Sequence, residues 1–234
     1  MYSIEMIQTY NESSLHKSLK KIYKKKYKAE EEVKIEGFIC DLLTSNNEII
    51  EIQTRHLSAL NKKILKLSKK GYSFRIVHPL ITKSIIKTID SSACLLSERK
   101  SPKKADIYSL FSELLGFYQS FAVKNWVLEV LFVEQVEIRE KQAKKTQNKT
   151  NTRRYLKDWI SLDKQLLGIN DHLHIKNKED LVQLMPELPA LFCAKDLSKT
   201  AIKKNAHKVL WVLHKLDLIR LVEKKGNTKY YQYI

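Results

Sequence analysis

Between residues 10 and 80, the spacing of apolar residues predicts a helix, three strands, a second helix and a further strand. Leu15, Leu19 and Tyr23 recur at helical spacing. Asn11 precedes them and belongs to a residue type that favours helix N-caps. Residues 37–54 contain two apolar runs around a Ser-Asn-Asn turn, which is the pattern of a β-hairpin.

The next elements follow from the same kind of pattern. Residues 57–67 carry leucines and isoleucine at helical spacing, and Gly71 is a stop signal for that helix. Residues 74–78 predict a strand that Pro79 ends. Residues 126–133 are apolar enough to predict a strand buried on both faces, which would extend the same sheet.

Changes in composition divide the chain into three parts. Residues 1–140 contain the sheet-forming patterns. Residues 141–178 begin with a polar, basic run and predict a linker with a connecting segment. Residues 179–234 predict a small domain with a short helix, a longer helix and a hairpin around Gly226. Two helices followed by a hairpin resemble a winged helix-turn-helix.

Composition and charge narrow the classes of protein. The net charge is +17 and the pI is near 9.6, as expected for a protein that binds phosphates, although a generally lysine-rich composition has the same effect. No apolar run is long enough for a membrane span, and the N-terminus lacks the pattern of a signal peptide. The three cysteines are scattered singly and predict neither a zinc motif nor disulfides, so we expect a cytoplasmic protein.

Two acidic residues in the predicted hairpin are the strongest candidates for chemistry. A hairpin folded about Asn46 places Asp41 directly opposite Glu51, and Gln53 projects on the same face as Glu51. Opposed like charges destabilise a hairpin unless a positive charge lies between them. Carboxylate oxygens suit Mg²⁺ or Mn²⁺, so the pair predicts a metal site, whereas the simpler alternative is that both are solvated surface residues.

An Asp followed after a short spacer by Glu-x-Lys or Glu-x-Gln resembles the PD-(D/E)xK nuclease superfamily. The resemblance implies a restriction-endonuclease-like αβββαβ core. Together with the winged helix-turn-helix resemblance at the C-terminus, it gives an expected α/β (α+β mixed) fold with a C-terminal winged-helix domain. It also implies that Glu12, on the preceding helix with His16 four residues later, joins Asp41 and Glu51 at the metal. A closer similarity is to uncharacterised bacterial proteins with a Glu-Ile-Gln-Thr segment and a C-terminal winged helix.

Gln53 departs from the commonest form of this motif, which has lysine there. A neutral amide can hydrogen-bond a water or a phosphate but brings no charge. Lys62 or Lys63 on the following helix could supply that charge instead. The departure leaves two functions open: a nuclease with catalytic Glu12, Asp41, Glu51 and Gln53, or a DNA-binding regulator that retains a degenerate nuclease fold.

Basic and polar residues predict where DNA would be bound. Arg55 leaves the third strand just after Gln53 and could face a phosphate. In a winged helix, the N-terminal end of the second helix enters the major groove and the hairpin lies near the backbone. The residues at these two places, with Asn205 as a candidate adenine reader, are Lys199, Thr200, Lys203, Lys204, Asn205, His207, Lys224, Lys225 and Lys229.

The sequence therefore favours a Mg²⁺- or Mn²⁺-dependent DNA endonuclease with a winged helix for DNA binding. We expect DNA as the partner, no membrane association, and either a monomer or a homodimer. Duplex, branched and single-stranded substrates all stay open, as does RNA in place of DNA.

Overall fold

A computed structural model describes residues 12–147 and 154–234 of the chain. Its main feature is a seven-stranded mixed sheet whose central strands are parallel. The strand order is β1, β2, β3, β4, β6, β7, and β5 pairs with the far end of β4. The strands are β1 (Glu30–Ile35), β2 (Phe38–Leu43), β3 (Glu48–Ile52), β4 (Ser73–Ile89), β5 (Leu95–Lys100), β6 (Trp126–Thr146) and β7 (Lys157–Ile175).

Helix α1 (Ser14–Tyr27) covers one face of the sheet. Its apolar stripe, with Leu15, Leu19 and Tyr23, is buried against a face that includes Ile50 and Ile52 of β3. Ser13 caps the helix, since its side chain accepts a hydrogen bond from the amide of the third helical residue. The predicted cap, Asn11, lies outside the described residues.

The opposite face carries the other helices, all within one hydrophobic cluster. They are α2 (Asn61–Ser68), α3 (Phe111–Phe117), α4 (Asp180–Gln183), α5 (Ala194–Ser198) and α6 (Ala206–Lys215). The C-terminal hairpin, β8 (Ile219–Lys225) and β9 (Thr228–Tyr233), forms a separate two-stranded sheet. The order α1, β1, β2, β3, α2, β4 agrees with the predicted order of elements.

Strand β4 does not end at Pro79, as its sequence predicted, but continues to Ile89. Val77 O accepts a hydrogen bond from Gln53 N, so Val77 and, two residues on, Pro79 turn their backbone groups toward β3. The ladder with β3 ends at the Ile52–Val77 pair. Pro79 therefore lies beyond the end of its neighbour, where the missing N–H interrupts no ladder.

The prediction of a linker over residues 141–178 is wrong for most of that segment. Strand β6 extends to Thr146, and Lys157–Ile175 form β7, antiparallel to it. This end of the sheet is largely exposed, so its side chains show no alternation of apolar and polar residues. Backbone pairing holds β7 in place, and side-chain composition therefore failed to reveal it.

The protein is thus a mixed α/β protein built mainly on a β-sheet with helices on both faces. Within the described residues, no helix combines the length and apolar character needed to cross a membrane.

Gly116→Ala should destabilise the protein, although alanine is ordinarily favoured over glycine in a helix by about 1 kcal/mol. A Cβ at Gly116 of α3 would lie 2.7 Å from Cβ of Ser58, so the turn before α2 would have to move. We expect a loss of about 1–3 kcal/mol in the free energy of unfolding, measured by urea denaturation. The control compares Gly116→Ala/Ser58→Gly with Ser58→Gly alone, because glycine at position 58 removes the clash. A Gly116→Ala variant more stable than the wild type would contradict this packing.

Candidate active site

The strands β2 and β3 separate where the two predicted acidic residues lie. Their ladder contains the Leu42–Ile50 and Leu43–Ile49 pairs, which have the predicted register but stop one pair short of Asp41 and Glu51. Beyond that point, Ile52 N donates to Asp41 Oδ2 over 2.8 Å, and Asp41 N donates to Glu51 Oε1 over 3.4 Å. The two carboxylates therefore accept hydrogen bonds from the backbone where the ladder has ended.

Glu51 is buried, with 4% of its surface exposed, and it pairs with a lysine. Lys63 Nζ of α2 lies 2.8 Å from Glu51 Oε1 and 2.7 Å from the Ile39 carbonyl oxygen. Burial raises the pKa of Glu51 to about 7, and the nearby charge of Asp41 raises it further. The charge and hydrogen bond of Lys63 lower the pKa but do not offset these effects. Glu51 thus changes its charge near neutral pH.

Helix α2 is fixed so that Lys63 faces the strands. The Asn61 side chain donates to Gly116 O over 2.7 Å and accepts from Ser120 Oγ over 2.7 Å. Ile64 is fully buried, whereas Lys62 is exposed to solvent. Contacts with the α3 region therefore orient the helix, and of the two lysines considered from sequence it is Lys63 that reaches the acidic pair.

Asp41 is held on its other side by α1. His16 Nε2 lies 3.5 Å from Asp41 Oδ2, His16 Nδ1 forms an ion pair with Glu12, and Lys20 Nζ lies 3.4 Å from Glu12 Oε1. Burial lowers the pKa of His16, but the hydrogen bond and charge of Asp41 and the charge of Glu12 outweigh it and the net shift is upward. Burial raises the pKa of the Asp41 carboxyl group. Its hydrogen bonds with His16 and Ile52 N lower that pKa by more, so the net shift is downward.

Glu12, His16 and Asp41 form a group that could hold a metal ion, with one ligand atom of each within 4.8 Å of the others. Sequence reasoning named Glu12 and Asp41 but did not include His16 as a ligand. The signal that could have found it is its position four residues after Glu12 on a helix. Glu51, predicted as a ligand, is not part of this group and pairs with Lys63 instead.

Gln53 does not point into the acidic pair, contrary to prediction. Its side-chain amide donates to the carbonyl oxygens of Arg55 and, over 3.3 Å, of His56. The reason is local: β3 ends at Ile52, so Gln53 lies in the following turn and its amide satisfies the carbonyls there. Arg55 in this turn is exposed, as a phosphate contact requires.

The C-terminal residues predicted to bind DNA divide into two groups. Asn205 is only 4% exposed, so the prediction that it reads adenine is wrong for this conformation. Thr200 donates to Leu197 O over 2.7 Å and accepts from Ile202 N, which makes it a turn residue. The exposed residues are Lys199, Lys203, Lys204, His207, Lys224, Lys225 and Lys229.

Two further contacts bear on how this segment could meet DNA. Part of the outer face of α6 lies against the α3 region, where Lys208 Nζ is 2.7 Å from Ser112 Oγ and the rings of Trp211 and Tyr118 are 5.4 Å apart. In the hairpin, Lys224 lies directly opposite Lys229. Opposed like charges are unfavourable by themselves and become favourable near a polyanion.

Comparisons with known proteins identify a family without an assigned activity. The chain matches the family described as Domain of unknown function (DUF8091) over residues 13–176, from the cap of α1 to just beyond the end of β7. An uncharacterized protein of Treponema pallidum (strain Nichols) is 26% identical over 227 residues, which cover 97% of this chain and 87% of that protein. No solved structure matches the chain.

Glu51→Gln should become more stable relative to the wild type as the pH rises from 5 to 8. The pKa of Glu51 is about 7 in the folded state, above the value of about 4.5 for a free glutamate, so folding binds a proton between these values. The free energy of unfolding of the wild type therefore falls over that interval by on the order of 2–3 kcal/mol. The Glu51→Gln variant does not lose this stability, because glutamine has no carboxyl group to titrate. Thermal denaturation in EDTA at each pH measures the difference. A difference in Tm that does not change with pH would contradict the burial of this carboxylate.

Proposed function

The chain belongs to the family described as Domain of unknown function (DUF8091), and we propose that it is a divalent-metal-dependent endonuclease that hydrolyses phosphodiester bonds in DNA. The observation that carries this proposal is the grouping of Asp41 and Glu51, at the point where two strands separate, with the ammonium of Lys63. Two carboxylates and a lysine are the set that the PD-(D/E)xK pattern requires. Here the lysine comes from α2 rather than from position 53.

Lys63 has the position and charge that Gln53 lacks. Only 11% of the Lys63 side chain is exposed, and its ammonium lies 2.8 Å from Glu51 Oε1. A fixed cation in a poorly solvated place stabilises developing negative charge more strongly than one in water. In the proposed reaction Lys63 stabilises charge on the phosphate, and ionised Glu51 orients the attacking water.

Glu12, His16 and Asp41 would hold the cation. Their donors, two carboxylates and an imidazole, fit Mn²⁺ better than Mg²⁺, which prefers oxygen ligands alone. When bound, such an ion lowers the pKa of a water and stabilises charge on the leaving oxygen. A protonated His16 has no lone pair to donate to a metal, so the cation binds only when the imidazole is neutral.

One observation favours a second function. Each of the three carboxylates already has a cationic partner from the chain: His16 and Lys20 at Glu12, His16 at Asp41, and Lys63 at Glu51. A site balanced in this way is stable without a metal. The second candidate is therefore a DNA-binding regulator that retains the nuclease fold without its activity.

Cleavage assays separate these functions, with supercoiled plasmid and a branched DNA as substrates and Mn²⁺ or Mg²⁺ as the cation. We expect metal-dependent nicking by the wild type and none by Glu51→Ala. Lys63→Met, which keeps the aliphatic stem, should reduce the rate by on the order of 10²–10³. Lys62→Met is the matched control, because Lys62 is exposed on the same helix, and it should cleave at the wild-type rate. Equal rates for the two lysine variants would exclude the proposed role of Lys63.

Mn²⁺ binding should weaken as the pH falls from 8 to 6. The pKa of His16 is raised, so protons compete with the metal for the imidazole over this interval. Isothermal titration calorimetry of wild type and His16→Gln measures the effect, and the variant should bind more weakly and with less dependence on pH. Absence of Mn²⁺ binding by the wild type at pH 8, together with retained DNA binding, would support the regulator instead.

A further inference from the structure

Three lysines of helix α1, Lys17, Lys21 and Lys25, together with Lys28 at its C-cap, form what we call the lysine stripe. Spacings of four residues align the first three along one face of the helix, and Lys28 follows the last helical residue. Lys21, Lys25 and Lys28 are exposed and Lys17 is partly exposed. Across residues 12–147 and 154–234, none of these four ammonium groups forms an ion pair.

The neighbouring lysines of the same helix behave differently. Lys20 pairs with Glu12 and with Glu32, and Lys24 Nζ lies 3.3 Å from Glu31 Oε2. Acidic residues near α1 are thus engaged by those two lysines rather than by the lysine stripe. The stripe is therefore a concentration of positive charge that the described part of the chain does not neutralise.

Folding alone gives little reason for the lysine stripe. Like charges four residues apart in a helix are unfavourable by about 0.2–0.5 kcal/mol for each pair. The helix dipole favours cations in the last turn, which accounts for Lys25 but not for Lys17 and Lys21. A polyanion close to the helix would reverse the sign of these interactions.

The lysine stripe begins beside the candidate active site. Lys17 follows His16 directly, so the stripe starts in the same helical turn, about 100° around the helix from the face that presents Glu12 and His16 to Asp41. From Lys17 to Lys25 the helix rises by about 12 Å. That length corresponds to about three to four base-pair steps of B-form DNA.

We propose that the lysine stripe binds the phosphate backbone of a nucleic acid and leads it to the site formed by Glu12, His16 and Asp41. The proposal deepens the proposed nuclease function and rests on it for the identity of the substrate. Nucleic acid is favoured over an anionic membrane because the apolar face of α1, with Leu15 and Leu19, is buried against the sheet. A helix bound to a membrane surface would need that face for the bilayer.

The experiment compares two triple variants of equal charge. Lys17→Gln/Lys21→Gln/Lys25→Gln removes three charges from the lysine stripe, and glutamine keeps the helix propensity. Lys103→Gln/Lys104→Gln/Lys124→Gln removes three exposed charges elsewhere. Circular dichroism checks the folding of both proteins. Fluorescence anisotropy in EDTA then measures binding to a labelled 20-bp duplex and to the single strand of equal length, at several salt concentrations.

We expect the stripe variant to bind at least tenfold more weakly and the control variant to bind as the wild type does. For the duplex, the slope of log K against log salt should decrease by about 0.9 for each lost phosphate contact. Equal affinities and equal slopes for the two variants would overturn the proposal. So would a stripe variant that binds both nucleic acids normally but loses binding to vesicles containing phosphatidylserine.

The same proteins separate this proposal from the proposed activity. If the stripe variant loses DNA binding while the wild type cuts no substrate, the lysine stripe stands and the nuclease function fails. If the stripe variant binds and cuts as the wild type does, the lysine stripe fails and the nuclease function stands.

Discussion

The buried carboxylate of Glu51 is the constraint on which the rest of the site depends. It lies on β3, at the point where β2 has moved away, and it is almost fully removed from solvent. A buried carboxylate needs a cation or several donors nearby. The chain meets this need with the ammonium of Lys63 and the amide of Asp41. Lys63 in turn requires α2 to be held in one orientation, which the contacts of Asn61 with the α3 region provide.

The distribution of charge distinguishes the site from the surface around it. At the site, the carboxylates of Glu12, Asp41 and Glu51 face the side chains of His16, Lys20 and Lys63. The whole chain carries a net charge of +17, so most of the excess positive charge lies elsewhere. A basic surface around such a site would attract a polyanion, which is the property that the proposed function requires.

The C-terminal segment is packed into the main core rather than held apart from it. Phe192, Leu197 and Val209 belong to the same hydrophobic cluster as Phe111 and Leu114 of α3. Since α3 also fixes α2, the C-terminal helices and Lys63 are connected through one set of packed side chains. DNA held by the exposed lysines of the C-terminal hairpin would therefore contact a segment that is joined rigidly to the helix bearing Lys63.

Local periodicity in the sequence is enough to predict several features of the fold. The order of the elements from α1 to β4, the register of the β2–β3 hairpin and the adjacency of Glu12 and His16 all follow from repeats of two or of about four residues. Such repeats also identified Asp41 and Glu51 as neighbours.

Long-range packing selects the side chains that complete the site. Three outcomes each depend on a distant segment: the selection of Lys63 over Lys62, the burial of Asn205 and the continuation of β4 past Pro79. Packing of α2 on α3, the end of β3 and the fit of the C-terminal helices set these outcomes. Local spacing carries no record of such contacts, because they join residues far apart in the chain.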